Sequence, residues 1–84
     1  MTMGKYVRIL NEVEAVRATE TNIKELKKLA NGVKKVSPEY ISSSYYRIVG
    51  LPQILWVGQW LLKHPSGRLE IKSDWEFRNE YEPK

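Results

Sequence analysis

Apolar residues alternate with polar ones along residues 6–18. Val7, Ile9, Val13 and Ala15 fall on one face of an extended segment, with Arg8, Glu12 and Glu14 on the other. Val16 breaks the alternation, and Asn11-Glu12 marks a place where the strand bends or turns. The period then changes. Ile23, Leu26, Leu29 and Ala30 recur at helical spacing and make one narrow apolar stripe. Asn22 before them offers N-cap chemistry with Glu25 at the third helical position, and Gly32 after Asn31 offers a left-handed stop. These cues predict a helix over about 23–31 with Lys24, Lys27 and Lys28 in water. So short a helix is not stable alone and must dock on a sheet.

The second half reads as a meander. Ser37-Pro38 marks a loop, and residues 40–49 form a strand with a serine-rich start. Ile54–Val57 and Trp60–Leu62 are two apolar runs separated by Gly58-Gln59, which suits a two-residue type II′ hairpin. His64-Pro65-Ser66-Gly67 is a second turn, leading into a strand at Arg68–Ile71. Ser73 with Glu76 is a capping box that opens a short helix over about 74–81, carrying Trp75, Phe77 and Tyr81. With loops at those two turns, Leu55, Val57, Trp60, Leu62, Leu69 and Ile71 share the core face. Ile54, Trp56, Leu61, Lys63, Arg68 and Glu70 share the other. The expected architecture is a small single α+β domain: an antiparallel sheet packed against one main helix, with a short C-terminal helix. It covers residues 1–84, with 1–4 outside the ordered fold.

Composition narrows the chemistry. An 84-residue chain of 9.9 kDa builds one domain with a small core. It has no cysteine, which removes disulfides, thiolate metal sites and cysteine nucleophiles, and points to a reducing, cytoplasmic setting. The start, MTMGKYV, has no apolar core of a signal peptide. The longest apolar stretch, Leu51–Leu62, is far short of the ~20 residues that span a bilayer, so no membrane partner is expected.

His64 is the single histidine and sits in a turn beside Pro65, a place where histidines face solvent. Asp74, the only aspartate, and Glu76 read as helix-start residues, and Glu12 and Glu14 as an exposed strand face. The glycines follow no phosphate-loop spacing. No catalytic, cofactor or metal constellation emerges, and the chain reads as a non-enzyme.

Two surfaces remain as candidates. Lys24, Lys27, Lys28, Lys34 and Lys35 lie within fourteen residues that contain one glutamate, a surplus equal to the whole net charge of +4. A lysine cluster is most simply the wet side of a helix and a basic turn. With Tyr40, Tyr45, Tyr46 and Arg47 nearby it could also hold a nucleic acid strand. The second candidate is the outer face of the meander. Ile54, Trp56 and Leu61, rimmed by Lys63 and Arg68, need a cover. The strand region over residues 6–18 or a helix of the same chain, a second copy of the chain or another protein could supply it.

Val13-Glu14-Ala15-Val16, followed by Thr21-Asn22-Ile23 and a short helix, resembles a family of small phage and prophage proteins of uncharacterised function. The likeness continues in Val57-Gly58-Gln59-Trp60-Leu61, Ser66-Gly67, Phe77 and Tyr81-Glu82, with Val57 and Gln59 where that family has proline and aspartate. The resemblance implies a phage origin and a small α+β fold, and brings no catalytic residues. The function expected first is a non-catalytic protein-interaction module that engages a host or phage protein. Nucleic-acid binding through the lysines is the alternative.

Overall fold

In the computed structural model the backbone is described for residues 3–8, 11–39 and 43–83, and the side chains for 12–39 and 43–81. Among the described residues there are eight strands and two helices: β1 (Met3–Arg8), β2 (Asn11–Arg17), α1 (Ile23–Leu29), β3 (Val33–Val36), β4 (Tyr45–Ile48), β5 (Leu55–Trp56), β6 (Trp60–Lys63), β7 (Leu69–Lys72), α2 (Asp74–Glu80) and β8 (Glu82–Pro83). They form a small α+β domain with two antiparallel sheets. One sheet has the order β7-β6-β2-β1-β8 and the other β3-β4-β5.

The five-stranded sheet is buried on both faces, which explains the broken alternation. Val13 and Ala15 point to one side with Trp60 and Leu62, where Phe77 and Tyr81 of α2 cover them. Val16 and Ala18 point to the other side with Leu61, where α1 and the three-stranded sheet cover them. Trp60 and Phe77 stack with ring centroids 4.0 Å apart, and Phe77 stacks on Tyr81 at 5.2 Å. Burial of this kind is worth roughly 25 cal/mol per Å² of apolar surface, so aromatic side chains dominate so small a core.

Five expectations are corrected. The extended segment over residues 6–18, expected to bend or turn at Asn11-Glu12, turns earlier: it is a hairpin of β1 and β2, with Arg8 opposite Asn11. Met3 and Gly4, expected outside the ordered fold, pair with Val16 and Ala15; residues 1–2 lie outside the described residues, as do Tyr40 and the side chains of Val7 and Ile9. Asn22 does not cap α1 with its side chain. Its Oδ1 accepts from the Thr19 N–H at 2.8 Å and its Nδ2 donates to the Arg17 carbonyl, tying the chain between β2 and α1. The helix itself stops at Leu29, with Ala30 already extended.

Gly58 is the fourth departure. No hairpin joins β5 to β6, because β5 pairs with β4 while β6 pairs with β2 and β7. The Gln59 N–H donates to the Trp56 carbonyl at 3.0 Å, closing a tight turn in which Gly58 is the third residue with φ 97°. That position of a type II turn demands a positive φ, and the turn carries the chain from one sheet to the other.

The fifth is the β6–β7 hairpin, whose loop is one residue shorter than expected. His64 bonds to Arg68, leaving Pro65, Ser66 and Gly67 as a three-residue loop, with Gly67 at φ 90°. Leu61 therefore faces Ile71, and Leu62 faces Glu70. The one-residue slip moves Leu69 and Ile71 to the α1 side, onto the face of Leu61 and away from Trp60 and Leu62. The capping box at Ser73 and Glu76 forms as the sequence predicts.

Candidate functional site

The expected interface patch is not assembled. Leu61 is fully buried between the two sheets. Lys63 is in the five-stranded sheet, opposite Glu14. Arg68 is in the β6–β7 turn, its guanidinium 3.2 Å from His64 Nε2. Ile54 and Trp56 stay together, half-buried, on the three-stranded sheet and its approach.

The basic cluster is divided too. Lys24, Lys27 and Lys28 are exposed on α1. Lys35 turns inward on β3, where its ammonium donates to the Glu20 carbonyl and lies 3.5 Å from the Glu20 carboxylate. Lys34, the preceding residue, points out.

That outward direction leads to a different grouping. The pairing of β3, β4 and β5 sets Lys34 opposite Arg47, Val36 opposite Tyr45, and Tyr45 opposite Trp56. Inward-facing partners are Val33 with Ile48 and Tyr46 with Leu55, all buried. The outer face thus carries one cationic row, Lys34–Arg47, beside one apolar and aromatic row, Val36–Tyr45–Trp56. Lys34 and Arg47 are exposed, and the Tyr45 and Trp56 rings meet at 5.0 Å with a 58° tilt. Like charges directly opposite in a sheet repel, so the Lys34–Arg47 pair costs stability unless an anion lies across it.

Tyr46 takes no part in this face. It is fully buried, and its hydroxyl donates to the Thr19 carbonyl at 2.6 Å. Burial, aided by the Glu20 charge, raises its pKa above the ordinary phenol value.

Trp56 also walls a cleft of about 420 Å³ with Gln53, Ile54, Gln59, Ile71 and Glu76. The Gln59 side-chain oxygen accepts from the Trp56 N–H at 2.9 Å, which fixes the amide. Glu76 Oε1 accepts from Ser73 N and Oγ, and those bonds from Ser73 hold its carboxyl below the ordinary range.

A second set of ionisable groups lies around β7 and α2. His64 Nε2 is 2.8 Å from Glu70 Oε1, Glu70 is 3.6 Å from Lys72, and Lys72 donates to Glu80 at 2.9 Å. Burial pushes the Glu70 carboxyl up, but the His64 hydrogen bond and the Lys72 and Arg68 charges bring it below its ordinary value. Asp74 accepts from the Trp60 indole at 2.9 Å and pairs with Arg78 at 2.9 Å, and its carboxyl is lowered, first by the Trp60 bond. Glu12 and Glu14 line a separate 250 Å³ hollow with Lys63 and His64. No group of three or more metal-ligating side chains occurs among the described residues, and no described helix is long and apolar enough to cross a membrane.

Among known proteins, no family model, no curated protein and no solved structure matches this chain.

Proposed function

We propose that this chain is a non-catalytic binding module that holds single-stranded nucleic acid on the outer face of its three-stranded sheet. The observation that carries the reading is the exposed Lys34–Arg47 pair, set side by side next to the half-buried Tyr45–Trp56 ring pair on the outer face of one sheet. Cations beside aromatic rings are the two elements of a single-strand platform: the cations meet phosphates and the rings meet base faces. A duplex hides its base faces in the stack and offers only phosphates to such a surface. The docking of a protein partner loses its basis in the expected patch, because Leu61 is buried, Lys63 lies on the five-stranded sheet and Arg68 in the β6–β7 turn. The phage-like motifs and the absence of cysteine support an accessory role in a host cytoplasm.

Anisotropy of a labelled single-stranded DNA or RNA, titrated at low salt, tests the reading. Saturable binding is expected, weaker for the matching duplex, with log affinity falling by roughly 0.7 per log unit of salt for each phosphate held. No binding up to roughly 100 µM protein, the weak end of non-specific affinities, would overturn it.

A further inference from the structure

Trp56 stands between two environments. Its ring meets Tyr45 on the outer sheet face, and the residue also lines the 420 Å³ cleft. That volume is within the ~300–1,000 Å³ of small-molecule sites. The walls are apolar at Ile54, Trp56 and Ile71, and polar at Gln53, Gln59 and Glu76.

The polar groups have capacity to spare. Gln59 uses its oxygen on the Trp56 N–H, which leaves its amide protons to donate. Glu76 uses Oε1 on Ser73, which leaves Oε2 to accept. Gln53 is exposed and can do either. The Glu76 carboxylate is ionised at neutral pH and repels a phosphate. The cleft therefore disfavours an anion, so phosphates stay outside it, and its walls suit a non-anionic group flat enough to lie on an indole and edged with both donors and acceptors.

Resting on the single-strand reading, we infer that this cleft takes one unstacked nucleobase from a strand whose phosphates run along the Lys34–Arg47 row. The base lies against Trp56, and its edge meets Gln53, Gln59 and Glu76. The sheet face then supplies affinity without regard to sequence, and the cleft supplies a preference among bases. Edge hydrogen bonds of this kind are how proteins read unpaired bases.

The test follows the side-chain amide resonances of Gln53 and Gln59 while the protein is titrated with single strands of each base, and with an abasic strand of equal length. Base-bearing strands should shift both amides, and the abasic strand should leave them in place. Gln53→Ala should change the ratio of affinities between the best and worst homopolymers by about five-fold, the worth of one hydrogen bond. Its affinity for the abasic strand should be unchanged. Strand binding that moves Lys34 and Arg47 but neither glutamine amide would overturn the cleft inference and leave the sheet-face reading standing. Failure of every strand to bind would overturn both.

Discussion

Lys34 and Arg47 repel each other across β3 and β4. Arg47→Ala should therefore leave the melting temperature unchanged or slightly higher, since an exposed substitution moves stability by within about 0.5 kcal/mol. The same variant should bind a single strand more weakly, with a salt slope smaller by roughly 0.7 for each phosphate that Arg47 would have neutralised. Thermal melts and salt-series titrations of the variant measure the two effects separately. A fall in stability with unaltered strand affinity would show that Arg47 serves the fold.

The elements account for most of the stability. Leu26 is buried against β2, β3 and β6, whereas Lys27 is exposed on the other side of α1. Leu26→Ala should cost on the order of 2–4 kcal/mol and Lys27→Ala less than about 0.5 kcal/mol, as read from denaturant unfolding. Phe77→Ala removes the middle ring of the Trp60–Phe77–Tyr81 stack and should cost about 3–5 kcal/mol. Ser73→Ala, which deletes the cap on α2, should cost about 1 kcal/mol. Equal melting shifts for Leu26→Ala and Lys27→Ala would place the wrong face of α1 in the core.

Both helices were legible in the sequence, α1 from its 3.6-residue apolar period and α2 from its capping box, because both are local features. The sheets were legible only in part. At Gly58 and Gly67 the turns were legible, but not that the first carries the chain between sheets instead of closing a hairpin, nor that the second is one residue shorter, since a glycine with positive φ fits each alternative. Hydrophobic alternation could not correct the count, because Trp60, Leu61 and Leu62 are all buried, on alternate faces. β3 was missed because Lys34-Lys35 hides the strand; its inward partners, Ile48 and Tyr46, lie more than ten residues downstream. The site suffered for the same reason. Lys34, Tyr45, Arg47 and Trp56 are each conspicuous in the sequence, yet only the pairing of three strands brings them to one face.

At the scale of the molecule, ionisable groups around α2 and β7 set the response to pH. Glu70, Asp74 and Glu76 are all held below their ordinary values, and Lys72 above its own by the Glu80 hydrogen bond, against the opposing effect of burial. A depressed carboxyl binds fewer protons folded than unfolded. Its contribution is thus complete above the unfolded value and is lost as the pH falls through the folded one. A raised lysine behaves oppositely, contributing fully below 10.5 and losing its contribution as the pH rises past that value. The melting temperature should therefore be flat near neutrality and fall as the pH drops through 3.8–4.5 and below. Glu70→Gln, which removes the carboxylate shared by His64 and Lys72, should make that fall shallower. An acid profile identical to that of the unmodified chain would show that Glu70 is not among the groups responsible.

The outer face of the β3-β4-β5 sheet as the binding surface is the claim on which the functional reading depends, and a map of backbone amide shifts tests it most directly. The labelled protein is titrated with a short single strand at low salt, and the residues that move are identified. The account predicts shifts concentrated at Lys34, Tyr45, Arg47 and Trp56, fading as salt is added. Shifts confined to Lys24, Lys27 and Lys28 on α1, or to the α2 side of the five-stranded sheet, would contradict it.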